Sequence, residues 1–350
     1  MAMKSAPANR IPSLDGLRAM SILFVIAGHL VGESAASAML AGIGVHVFFV
    51  LSGYLITRLL QEERAHHGQI SLAAFYRRRC FRIFPAAFAY ILVIAVLSPG
   101  SRSALPYALT YTVSYHLYST PLLYWHLWSL SVEEQFYLLW PLALLLGYAH
   151  RGWIALLAML AAAIFRLVFA IGFSPDAFAY LHYSFPGTMD SIAAGCLLAI
   201  YEPQLRERFR WMAESRAIAI CVPLTAWVLY AACWGDPSTT LARSLSVLWG
   251  AVPLLIALWV FLLIERRDWI FNNPVASLIG VLSYSLYLWQ QPFTLGHKYS
   301  IASAVLMLSG CAVASYLLVE KPMLKLGAVI KSRKVSRESV GSNLVSPARD

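Results

Sequence analysis

A chain of 350 residues that is 59% hydrophobic and 13% charged, with a mean hydropathy of +0.65, is not a soluble globular protein. Apolar windows near twenty residues recur to its end, and lipid requires backbone groups to be satisfied within each segment, so the class is all-α polytopic membrane protein. The formal net charge of +10 then reports where Lys and Arg sit relative to a bilayer and gives no support to a nucleic-acid partner.

In chain order the predicted spans are 14–33, 42–60, 83–99, 132–149, 153–172, 187–201, 217–234, 243–264, 273–293 and 299–319. Residues 105–118 (LPYALTYTVSYHLY) are short and Tyr-rich, and read as an interfacial or re-entrant piece. Charge supports that choice. With ten spans and both termini cytoplasmic, the inside segments hold 23 of the 27 Lys and Arg; an eleventh span at 105–118 would expose the Arg206, Arg208 and Arg210 cluster. Residues 1–327 form the membrane domain, and 328–350 a basic, Ser-rich tail expected to be disordered. The expected location is the inner (plasma) membrane, crossed many times.

The first span carries Arg18 and His29. Eleven residues at 100° each are three turns plus ~20°, so both side chains share one helix face, ~16 Å apart along the axis. An ionisable group in a membrane helix costs at least ~2.5 kcal/mol, and such groups persist where they face a cavity or each other. This pair therefore reads as a working site or, more plainly, as interhelical packing by His29.

The run FYRRRCFRIFP holds Arg77, Arg78, Arg79 and Arg82. Arg79 and Arg82 are neighbours on a helix surface, and guanidinium forks match phosphate oxygens; the alternative is a topogenic charge cluster. In HLWSLSVEEQFYLLWP, Glu133 and Glu134 point about 100° apart, so one of them faces the bundle interior. A carboxylate there could orient an imidazole for general-base work, or merely sit solvated at the interface. His46 is a second titratable candidate, and Ser52-Gly53 is a small pair suited to close helix contact. VLSYSLYLWQQP repeats Ser283, Tyr284, Tyr287, Gln290 and Gln291, which line a cavity or tie helices together. His46, Ser131, Gln135, Tyr284, Tyr287 and Gln290 are the candidate substrate contacts. Five cysteines, odd in number and scattered, support neither a metal site nor a disulfide framework.

LDGLRAMSILFVIAGH, GVHVFFVLSGYLIT, YRRRCFRIFP, WSLSVEEQFYLLWP, SYSLYLW and VEKP (319–322) occur in the order and spacing of the membrane-bound acyltransferase 3 family, which this chain resembles from Leu14 to about Pro322. The resemblance implies a ten-helix enzyme moving an acyl group, usually acetyl, from cytoplasmic acyl-CoA to a hydroxyl, often on a carbohydrate or glycolipid outside. No bound cofactor or metal is implied. Arg18 and His29 match the family's paired Arg and His, Arg79 and Arg82 its basic motif thought to hold the CoA phosphates, with Arg78 beside them, and Glu133 its acidic position. His29 is then a general base or a transient acyl carrier, and Glu133 orients it or the acceptor.

Three positions depart. The family often has His at Gln290, an acidic residue at His46, and Arg two residues before Asp190, where this chain has Thr188. These departures bear on acceptor and acyl specificity. Acylation of a small secreted metabolite such as a macrolide is one alternative. A transporter or flippase using the buried Arg, His and Glu as a proton relay is the other, although the paired half-chain repeats of such proteins are missing.

Overall fold

The structure is a computed structural model and describes residues 11–32, 34–172, 182–233 and 249–330. Among these are ten helices of 15 residues or more: α1 Pro12–Val31, α2 Ala35–His67, α3 Leu72–Leu97, α4 Leu127–Gly147, α5 Arg151–Gly172, α6 Phe185–Glu214, α7 Arg216–Cys233, α8 Ala251–Arg266, α9 Pro274–Trp289 and α10 Ile301–Ser315. No strand occurs among the described residues. Among the described residues six stretches are long and apolar enough to cross a membrane, and one of them, Leu122–Phe169, contains α4 and most of α5. Leu92, Val96, Leu146, Leu157 and Leu318 are exposed on the outside of the bundle, as a lipid-facing surface requires. The protein is a multi-pass membrane protein.

Several helices outrun the apolar windows that announce them. The window 42–60 is the middle of the 33-residue α2, which starts in a capping box at Ser34 and ends at Gly68 in left-handed geometry. Helix α3 starts eleven residues before the apolar run 83–99, capped by the Ser71 side chain on the Ala74 amide, so the arginine run is itself helical. Hydropathy detects only the part in lipid, whereas backbone hydrogen bonding continues into water. The helix at the C-terminal end passes from α10 through a π turn at Tyr316–Glu320 to residue 330, beyond the boundary drawn at 327. Residues 331–350, the remainder of the expected tail, and 243–248 of the predicted eighth span lie outside the described residues.

Residues 105–118 form no continuous helix. They break into short turns at Leu105–Leu109, Val113–Tyr115 and Leu117–Ser119, with Pro106 near the start and Tyr111 at φ 54°. Tyr107 stacks on His116 at 3.9 Å between ring centres.

Glycine sets the helix spacing. A Cβ on Gly53 would collide with the Ile192 carbonyl, and one on Gly195 with the Val50 carbonyl, so α2 and α6 touch backbone to backbone. Gly28 and Gly44 do the same for the α1–α2 hairpin. Helix α2 thus lies at the centre, between α1 and α6, while α1 also packs on α9 and α9 on α10. Two apolar cores result, one around α3, α4 and α9, the other around α6, α7 and α8.

Candidate active site

The gap between α1, α2, α3, α4 and α9 is a cavity of about 100 Å³ whose polar lining includes Arg18, Arg79, Arg82, Glu133, Tyr284 and Tyr287. Five helices that share no local sequence therefore converge on one chamber, and six of the twelve sequence candidates stand in its wall. Arg79 and Arg82 also border a second cavity of about 320 Å³ with Arg77, Arg78 and Phe81, closed on its far side by Leu324 and Gly327. The two arginines are the shared wall of both spaces. Arg18, Arg79 and Arg82 make no ion pair among the described residues; the Arg79 guanidinium lies 4.7 Å above the Tyr137 ring. Arg78 is turned away, paired with Glu63 at 2.8 Å.

Glu133, and not Glu134, lines the chamber. Its carboxylate accepts from Ser52, whose hydroxyl oxygen in turn accepts from Tyr137 at 3.0 Å. The expected pairing of Glu133 with His29 is not what the helices deliver. Among the described residues its hydrogen bond goes to Ser52, because Glu133 lies level with Arg18 and Arg79, and His29 is three turns further along α1. His29 is half-buried, near His126.

Four other candidates lie elsewhere. His46 points between α6, α7 and α8: its Nδ1 is 2.8 Å from Ser191 Oγ and its ring meets Tyr230 and Trp249 edge-on. Ser131 donates back to the Leu127 carbonyl within its own helix. Gln135 accepts from Tyr115 and donates to the Tyr111 carbonyl, tying the 105–118 segment to α4. Gln290 is buried at the end of α9.

Several residues were not singled out from the sequence. Tyr137 is four residues after Glu133, a helical spacing that places them on one face. Ser52 does more than pack. Glu320 is turned inward by the π turn of the last helix, accepts from Ser285 on α9 and faces Arg82. The guanidinium expected two residues before Asp190 is supplied instead by Arg166 on α5, at 2.7 Å from Asp190.

A family profile described as an acyltransferase domain, acyltransferase 3, matches residues 11–319, which includes all of these groups except Glu320, one residue beyond the match. The chain belongs to the acyltransferase 3 family. Among curated relatives, the peptidoglycan O-acetyltransferase OatA of Listeria monocytogenes is 29% identical over 310 residues, covering 81% of this chain and 49% of the relative. The O-acetyltransferase OatA of Staphylococcus aureus is 28% identical over 355 residues, covering 91% of this chain and 58% of the relative. The chain thus spans about half the length of the curated relatives it matches. No solved structure matches it.

Proposed function

We propose that this protein is a membrane O-acetyltransferase that takes acetyl from cytoplasmic acetyl-CoA and delivers it to a sugar hydroxyl of the cell envelope, with peptidoglycan the first acceptor to test. The observation that carries the reading is the pair of neighbouring spaces that share Arg79 and Arg82 in their walls, cations in no ion pair among the described residues. A donor with phosphates at one end and a thioester at the end of a long arm suits a site in which Arg18, beside Arg79 and Arg82 in the chamber wall, is ~16 Å along α1 from His29. The Listeria relative's name supplies the acceptor class.

In this reading all ten helices cross the bilayer and both termini are cytoplasmic, so the arginine-rich cavity opens to the cytoplasm and His29 lies toward the outside. His29 either takes the acceptor hydroxyl proton directly or carries the acyl group between the two steps. In both cases the C–S bond of the thioester breaks, a C–O bond forms, and the hydroxyl proton ends on the CoA thiol. Arg18 and the Tyr137–Ser52–Glu133 chain hold the middle of the arm.

The test is purified protein in detergent with radiolabelled acetyl-CoA and an oligosaccharide acceptor. Replacing both Arg79 and Arg82 by Ala should weaken acetyl-CoA binding at least tenfold, since charge-assisted hydrogen bonds are worth ~1.5–3 kcal/mol each. Lysines should restore it only in part. Unchanged acetyl-CoA affinity would reduce the cluster to a topology signal.

A further inference from the structure

Beyond the chamber, on the His29 side, buried polar atoms accumulate without partners. Trp289 Nε1, both amide atoms of Gln290 and Gln291 Oε1 have none among the described residues, and neither has His126 Nδ1. Gln290 is 0% exposed and His126 4%. Native interiors pair the large majority of such groups, so five unpartnered atoms on four neighbouring side chains call for a ligand or water to complete them.

His126, Trp289 and Gln291 share one neighbourhood, and Gln290 stands between the latter two in the chain. His126 Nε2 is 3.1 Å from the Leu288 carbonyl, Gln291 donates to the Leu122 carbonyl, and the rings of His126 and Trp289 both meet Tyr90 edge-on. Tyr287 donates to the His126 carbonyl at 2.6 Å and lines the inner chamber, so it is the wall between that chamber and this group. Helix α1 packs against residues 291–297, which brings His29 to the same end.

The hydrogen bond to Leu288 fixes the chemistry of His126. A carbonyl can only accept, so Nε2 carries the hydrogen, and in the neutral imidazole Nδ1 is then a bare acceptor. Gln290 adds, on one planar amide, a donor pair and an acceptor. An acceptor imidazole, a two-way amide and a flanking indole match neighbouring hydroxyls on a ring with an apolar face.

We propose that His126 and Gln290 form a hydroxyl-binding subsite for a carbohydrate acceptor. His126 Nδ1 accepts from one hydroxyl, and the Gln290 amide exchanges hydrogen bonds with its neighbour. This rests on the acetyl-transfer reading for its purpose, although sugar binding can be measured without transfer.

Two variants test it. His126→Gln keeps a donor for Leu288 and removes the Nδ1 acceptor; Gln290→Leu replaces the unpaired amide with an apolar group of similar size. The probe is a soluble β-linked N-acetylglucosamine oligosaccharide, in equilibrium binding and in the transfer assay. Each variant should bind the oligosaccharide at least tenfold more weakly and raise its KM to match, while the KM for acetyl-CoA and the slow acceptor-independent hydrolysis of acetyl-CoA stay within twofold. Gln290→Leu should also raise the Tm, because burying leucine leaves no polar group unpaired. A lower Tm would reveal a structural partner for the amide and overturn the proposal, as would unchanged sugar binding or an equal loss on the donor side. Wild-type protein that transfers acetyl to an alcohol yet binds no oligosaccharide would overturn the subsite and leave the transfer reading intact. Saccharide binding without acetyl transfer would do the reverse.

Discussion

Two arrangements of buried arginine sit on opposite sides of α2. On the α6 side Arg166 is closed: it is 2.7 Å from Asp190, donates to the Gly187 carbonyl, and both side chains are at most 1% exposed. On the α3 side Arg18, Arg79 and Arg82 are open, bordering a cavity, with Glu133 bonded to Ser52 and not to any of them. A closed pair has its charge cancelled within the protein and holds helices together. An open group of three like charges opposes folding and persists where a ligand of opposite charge completes it. That contrast separates architecture from chemistry among residues that look alike in sequence.

The sharpest test of the open side is His29, the group it would serve. His29→Ala should lower acetyl transfer by ~10²–10⁴-fold, the usual contribution of a general base, with insertion and acetyl-CoA binding retained. More than about a tenth of wild-type transfer would remove His29 from the chemistry. The closed side should respond in stability instead. Asp190→Ala leaves Arg166 buried and uncompensated, at a cost of about 3–5 kcal/mol, whereas the double change Arg166→Met with Asp190→Leu should recover most of it. Thermal unfolding in detergent reads both. A single variant as stable as wild type but inactive would move this pair into the chemistry and erase the contrast. The smallest effect is the most discriminating. Arg79→Ala with Arg82→Ala relieves a like-charge pair three residues apart, so stability should be unchanged or rise by about 0.5 kcal/mol. A drop comparable to that of Asp190→Ala would make the open cluster structural too.

What the sequence determined by itself is what a single helix dictates. Periodicity places Arg18 and His29 on one face at a known separation, Arg79 beside Arg82, and one of Glu133 and Glu134 in the chamber wall; Pro106 and a short apolar run stop 105–118 from forming one long helix. Six motifs in order gave the family. Pairings between helices were beyond it, because they depend on how each helix is rotated and on which faces meet. The glycines at 53 and 195 bring α2 against α6 and turn His46 away from the chamber toward Ser191. Packing also joins Arg166 to Asp190 across 24 residues, Ser52 to Glu133 across 81, and His126 to Leu288 across 162. A local pattern fixes position along an axis; only the packed bundle decides which side chain stands opposite, and so which charges are cancelled and which are left for a substrate.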